Sequence, residues 1–469
     1  MTPSVTLPLW LFALLLALAA WALAERMLLP GMRWFLRRRV NRVIEELSAR
    51  LSIELPQFKL TRRQVVIDRL FHDTRVQAAV DAYCASEKLP RAAALRRVDR
   101  YAREIVPSFN AYLYFRVGYS IAKAVARTLY RVRLGYADEA ALARIDPRSS
   151  IVFVINHRSN MDYVLVAFLA AERVALSYAV GEWARVWPLQ TLIRAMGAYF
   201  VRRNSGDPLY RAVLARYVQM ATEAGVPQAL FPEGGLSRDG RLRKPKLGLL
   251  DYMLKAFDPQ AGRDLVFIPV GINYDRVLED RTLLAGLDSA APKAGLAAAL
   301  ATTFGFIARN LWLRLTGRWY RFGYACVNFG APVSMREQAQ RDGGDLRVPD
   351  DAQRRARVEA LGERLMQAIG RVVPVLPVSV VAWILLHRAG GGLSELELKA
   401  QAFDLMRELE ARGAHVYLPR RDRDYAIGVG LRMLLLRRIA VERDGLYTAD
   451  PRDAGLLAYY ANAIGHLIE

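Results

Sequence analysis

Apolar residues along this chain follow two rhythms. In the middle they gather in short unbroken runs: Ile151-Val152-Phe153-Val154-Ile155, Ala198-Tyr199-Phe200-Val201, Ala229-Leu230-Phe231 and Leu265 to Ile272. Runs of this length suit strands buried on both faces. Helix-like segments lie between them near 163–171, 208–224 and 246–257. This alternation predicts an α/β sheet with its site at the strand ends. Tyr324 to Phe329 predicts a late strand, closed by Gly330-Ala331-Pro332.

The flanks carry the helical rhythm. Between about Gly31 and Pro107, Val65, Leu70, Val76, Val80 and Tyr83 recur at turns with basic residues between them. Pro30, Pro56, Pro90 and Pro107 punctuate the stretch. Phe109 to Arg131 reads as a tyrosine-rich amphipathic helix, and beyond Pro349 the chain is charged and helical again. These shifts divide it at 1–30, 31–107, 108–345 and 346–469. Two more apolar stretches, Gly295 to Ala308 and Val372 to Leu386, admit two readings, a membrane-surface segment or core packing.

Met1 to Ala24 has no charged side chain, and Leu7 to Ala24 is 18 residues of mostly Leu, Ala, Trp and Phe. As a helix it would span roughly 27 Å, near the thickness of a bilayer core. Arg26, Arg33, Arg37, Arg38, Arg39 and Arg42 follow directly. A retained single-pass anchor is expected, with the rest of the chain on the cytoplasmic side of a bacterial-type inner membrane. A cleaved signal peptide and a buried or interfacial helix are the rival readings; the first lacks its positive leading region. From Arg26 to Arg63, ten Arg/Lys face three acids, which suits anionic lipid headgroups or a merely solvated helix.

Charge narrows the partners. With 67 Lys/Arg against 46 Asp/Glu the formal net charge is +21, and polyanions are attracted. Two distant cysteines, Cys84 and Cys326, exclude a disulfide framework and a cysteine zinc site. Five scattered histidines argue against a histidine metal centre. No nucleic-acid motif accompanies the charge.

Three segments carry candidate chemistry, and each follows an apolar run. In Asn156-His157-Arg158-Ser159-Asn160-Met161-Asp162, a turn into a helix near Asp162 would fold the carboxylate back onto the imidazole. The carboxylate fixes the tautomer, and the other ring nitrogen becomes a base for a hydroxyl. A structural loop histidine is the alternative. Phe231 to Gly240 contains Glu233-Gly234-Gly235, where backbone can approach a ligand closely, and Ser237-Arg238. Arg241, Arg243, Lys244 and Lys246 follow. Gly197-Ala198-Tyr199-Phe200-Val201 ends in Arg202-Arg203.

Taken in order with Ile268 to Val277, these blocks resemble the four-block pattern of the glycerolipid acyltransferases. Tyr274-Asp275-Arg276 and the His157-Arg158-Ser159-x-x-Asp162-Tyr163 block resemble the glycerol-3-phosphate acyltransferase branch. The likeness runs from about Ala102 to Pro332, and faintly over Val372 to Leu386. It implies an α/β fold with a glycerolipid-acyltransferase-like mixed sheet flanked by helices over 108–345, and acyl transfer from a thioester, acyl-CoA or acyl carrier protein, to the sn-1 hydroxyl of glycerol 3-phosphate. The product would be lysophosphatidate, for phospholipid synthesis. His157 would be the base and Asp162 its orienting partner. Arg202, Arg203, Arg238 and Lys246 would hold phosphate. Glu233, Gly234 and Gly235 would shape the acceptor pocket. Arg158, Ser159, Ser237, Tyr274, Asp275 and Arg276 would complete it. No metal or redox cofactor is implied, and no nucleic acid. Leu236 departs from the pattern, standing where the family usually has an arginine associated with the acceptor phosphate. A lysophospholipid acceptor, another lipid hydroxyl, or a non-catalytic anionic-lipid-binding protein are the alternatives.

Overall fold

The computed structural model describes residues 56–111, 113–170, 176–181, 189–202, 205–255, 257–260, 262–287, 322–342, 351–388 and 391–469. The expected anchor at 1–30, the apolar stretch 295–308 and Arg203 lie outside these residues. Among the described residues no helix is long and apolar enough to cross a membrane.

The strands are β1 (Arg131–Ala137), β2 (Ser150–Ile155), β3 (Ser177–Gly181), β4 (Tyr199–Val201), β5 (Gln228–Leu230), β6 (Leu265–Tyr274), β7 (Tyr324–Phe329) and β8 (Val333–Ser334). Among the described residues they form one eight-stranded sheet in the order β1-β7-β6-β2-β5-β3-β4, with β8 also on β6. The core strands β6, β2, β5, β3 and β4 run parallel, and β7 pairs antiparallel with β6. All four unbroken apolar runs and the late strand are strands, and the mixed α/β sheet is present. β1 and β3 went unread. β1 carries Arg131 and Arg133 and is largely exposed at the sheet's edge, so no apolar run marks it. β3 is only five residues long.

Alternation along β2 sorts the two helical layers. Ile151, Phe153 and Ile155 join a core with α4 (Tyr119–Leu129) and α5 (Met161–Ala170). Val152 and Val154 face the opposite core, with α1 (Arg63–Phe71), α2 (Thr74–Glu87), α3 (Arg91–Ile105), α6 (Pro208–Glu223), α7 (Gly248–Leu254) and α8 (Asp351–Val372). α9 (Pro377–His387), α10 (Glu395–Ala411), α11 (Arg423–Leu436) and α12 (Ala454–Gly465) share the core of the first face. The stretch Val372 to Leu386 is therefore core: Val375, Leu376, Val380 and Val381 are fully buried.

Two helical expectations change. Phe109 to Arg131 is not one helix: a π-helical turn at Leu113–Gly118 precedes α4, and the chain is extended again by Tyr130, whose hydroxyl donates to Arg276 O at 2.8 Å. The C-terminal region also holds a small antiparallel sheet of β9 (Leu393–Ser394), β10 (Ala440–Arg443) and β11 (Leu446–Ala449). Its hairpin turns on Asp444-Gly445, both at positive φ, the pairing that a two-residue hairpin loop needs.

Gly271 in β6 lets the end of α8 pass directly over the sheet. A Cβ there would stand 2.2 Å from Val372 O. Gly271→Ala should therefore destabilise the protein by at least about 1–3 kcal/mol, because backbone must move. Gly428, inside α11 with nothing within 4 Å of its would-be Cβ, is the counter-case. Gly428→Ala should stabilise by about 0.4–1 kcal/mol. Urea unfolding midpoints at constant m-value check both.

Candidate active site

The site starts at the end of β2. Asn156 extends the ladder with its side chain instead of its backbone: Oδ1 accepts from Ile272 N at 2.7 Å and Nδ2 donates to Ile272 O at 2.9 Å. The backbone is thereby released to turn, and it enters α5 at Met161. The turn brings His157 Nδ1 to 2.9 Å from Asp162 Oδ2. The same oxygen accepts from the amides of Arg158 (2.7 Å) and Ser159 (3.0 Å). Oδ1 accepts from the Tyr274 hydroxyl at 2.5 Å. Asp162 has no exposed surface, and it sits in the first turn of α5, where the helix dipole favours a carboxylate. Burial and the Asp162 charge push the Tyr274 hydroxyl well above the usual tyrosine range, so it stays a donor.

The second loop is tied to the first. Glu233 Oε1 accepts from His157 N at 2.9 Å, Oε2 accepts from Arg243 N at 3.2 Å, and Ser237 N donates to His157 O at 2.9 Å. Burial pushes the Glu233 carboxyl up to about 7, against the pull of the His157 amide and Arg158. The imidazole packs against Phe231, with ring centroids 4.2 Å apart, and edge-on to Tyr163 at 5.4 Å.

His157 opens onto a largely apolar cleft of about 320 Å³. Its walls are the carboxyl ends of β3, β4 and β5 and the flanks of α6 and α7, where ligands bind in open α/β sheets. Tyr163, Phe231, Leu214, Leu249 and Tyr252 supply apolar lining. Of the expected residues, His157, Arg202, Gly234 and Lys246 border it.

The remaining expected residues sit elsewhere for identifiable reasons. The Arg158 side chain is buried under α12, where Nη2 donates to Ala463 O at 3.2 Å. Ser159 donates to Glu279 Oε2 at 2.7 Å. Tyr274 lies behind Asp162, not in the cleft. Asp275 is buried, and Oδ2 accepts from Tyr324 N at 2.7 Å. Arg276 turns onto the Phe322 ring at 4.1 Å. Ser237 donates to Arg241 O at 2.7 Å, and Arg238 to Gly286 O at 2.7 Å. Glu233 works on backbone, and Gly235 is buried between these contacts. Arg202 reaches the cleft but is paired with Glu104 at 2.8 and 2.6 Å.

Sequence reasoning missed Glu279 and α12. Glu279 also accepts from Asn160 N at 3.1 Å, which closes the turn from the β6 side. Its loop is held by Tyr460 and Arg437: Arg437 contacts Asp280 at 2.6 Å and the Tyr460 hydroxyl at 2.7 Å, and Val277 N donates to that hydroxyl at 3.1 Å. On α12, Asn462 donates to Asp239 O at 2.9 Å, and Gly240 leaves room for the Tyr459 backbone. A glutamate after a strand and a distant tyrosine carry no local signal.

Burial pushes the Asp275 carboxyl up to about 7. The folded state then keeps a proton that the unfolded chain releases near pH 4, so this group's contribution to stability falls as pH rises from about 4 through 7. Asp275→Asn should flatten that decline. Urea unfolding of both proteins at pH 5 and pH 7.5 measures it.

The acyltransferase family model matches residues 139–273, and that of the glycerol-3-phosphate acyltransferase C-terminal region matches 313–468. The glycerol-3-phosphate acyltransferase of Pseudomonas putida is 28% identical over 424 residues, 87% of this chain and 49% of that protein. Its counterpart from Ectopseudomonas mendocina is 29% identical over 424 residues, with the same shares. The chain thus spans about half the length of the curated relatives it matches. The solved structure of the 1-acyl-sn-glycerophosphate acyltransferase from Thermotoga maritima overlaps 65% of this chain and 96% of that one, at 18% identity and a TM-score of 0.31, too slight to bear on the fold. The two matched regions follow one another along the chain, and the first contains the His157–Asp162 pair; over them the chain is similar to the acyltransferases and to the C-terminal region of glycerol-3-phosphate acyltransferases.

Proposed function

We propose that this chain transfers a fatty acyl group from a thioester, acyl-CoA or acyl carrier protein, to the sn-1 hydroxyl of glycerol 3-phosphate. The observation that carries the reading is the buried His157–Asp162 pair at 2.9 Å, opening on an apolar cleft at the strand ends. Asp162 holds His157 Nδ1 as the protonated nitrogen, which leaves Nε2 to accept the proton of the acceptor hydroxyl. The oxygen then attacks the thioester carbonyl. Collapse of the tetrahedral adduct breaks the carbon–sulfur bond, and the imidazolium returns its proton to the departing thiolate. No acyl-enzyme is needed. The apolar cleft suits the acyl chain. Residues 7–24 would anchor the enzyme in the membrane, with the site on the cytoplasmic side where the arginines after the span would stay. Leu236 favours one rival reading, in which lysophosphatidate is the acceptor.

His157→Ala should lower turnover by about 10²–10⁴, the worth of general-base help. Asp162→Asn should cost less but still heavily. Tyr274→Phe removes one hydrogen bond from the Asp162 carboxylate and should cost about tenfold. Steady-state kinetics on variants shown by circular dichroism to be folded at the assay temperature checks the series. Near-normal turnover in folded His157→Ala would overturn the mechanism.

Acceptor identity is tested by supplying glycerol 3-phosphate and lysophosphatidate at equal concentration with labelled acyl donor. Lysophosphatidate should be the main product. Phosphatidate instead would establish the rival reading.

A further inference from the structure

Three cations border the cleft among the described residues: Arg202, Arg211 and Lys246. Arg202 is neutralised by its two-point contact with Glu104. Arg211 and Lys246 have no carboxylate on their side chains among the described residues, and both are exposed, which puts them at the mouth. Lys246 is built into place. Its amide donates to Pro232 O at 2.7 Å, and its stem lies across Gly234, where a Cβ would stand 2.5 Å from Lys246 Cδ. Gly234 has φ +66°, so the loop needs glycine there twice over, for its backbone and for the lysine's path. Arg211 comes from another wall, the first turn of α6.

Among the described residues, three other arginines of the motif blocks point elsewhere. Arg158 lies under α12, Arg238 is on Gly286 O and Arg276 is on Phe322. Leu236 brings no charge at all.

We infer that Arg211 and Lys246 form an anion grip at the mouth of the cleft that takes a phosphomonoester of a substrate, and that Arg211, outside every motif block, supplies the charge that Leu236 withholds. A phosphomonoester carries close to two negative charges at neutral pH and several acceptor oxygens, which two cations from different walls can meet. Glycerol 3-phosphate and the 3′-phosphate of coenzyme A share this chemistry. The choice of these two ligands rests on the proposed acyl transfer.

The test titrates the full chain with glycerol 3-phosphate alone and with coenzyme A alone, by calorimetry, so that no turnover occurs. Wild type is compared with Arg211→Ala, Lys246→Ala and Arg211→Lys. Each alanine variant should weaken one of the two ligands by about tenfold or more and leave the other within about twofold, and Arg211→Lys should recover most of the loss. The ligand that weakens identifies the source of the phosphate. Unchanged binding in both alanine variants, or no binding of either ligand by wild type, overturns the grip. Binding that depends on both cations, in a wild-type chain that never turns over, overturns the acyl-transfer reading and leaves the grip standing.

Discussion

A carboxylate stripped of water has to be met on every side, or it takes up a proton and stops being a carboxylate. Asp162 is met by two amides of its own turn, the His157 ring and the Tyr274 hydroxyl. These donors come from β2's exit and from the end of β6, so they converge only if the two strands are neighbours in register. The sheet supplies that pairing over Ser150–Ile155, and Asn156 then carries it one step further through its side chain. Sheet order, the turn and the imidazole's orientation are in this sense one requirement. Loss of any donor would leave lone pairs unmet in a dry place, which costs more than the bond itself contributes.

The helical regions on either side do more than cover the sheet. The N-terminal helices reach the cleft's wall through Glu104 on Arg202 and through the Tyr101 hydroxyl on Asp207, the residue that caps α6 with contacts to the amides of Leu209 and Tyr210. The C-terminal helices reach the opposite side, where α12 touches the His157 turn, the Asp239-Gly240 turn and, through Tyr460, the loop that carries Glu279. The part that holds the reactive pair thus borrows rigidity from both neighbours.

What could be read from the sequence follows from how locally each feature is determined. The unbroken apolar runs at 151–155 and 265–272 read as buried strands because they are short and rich in Ile, Val and Phe, which suits a strand covered on both faces better than a helix. The His157–Asp162 contact was legible because one turn of chain closes it. β1 escaped because an edge strand with Arg131 and Arg133 has no reason to be apolar, and the Asp444-Gly445 hairpin was a signal passed over inside a charged, helical stretch. Arg158 and Tyr274 sit in the motif blocks yet turn away from the cleft, and composition cannot tell a side chain that faces a ligand from one that faces a helix 300 residues away. Glu279 is legible only once β6 is known to lie beside β2.

The reach of α12 has a consequence in time. Arg158 and Ala463, which meet in the folded protein, are 305 residues apart along the chain. A ribosome adding roughly 5–20 residues per second needs roughly 15–60 s to cover that distance. Within that interval the strands from β3 to β8 are made and can join the sheet, while the turn bearing the histidine still waits for α12. A nascent chain would hold its His157–Asp162 pair unbraced until α12 has been made, and a product cut short before α12 would carry every motif block and still lack the brace.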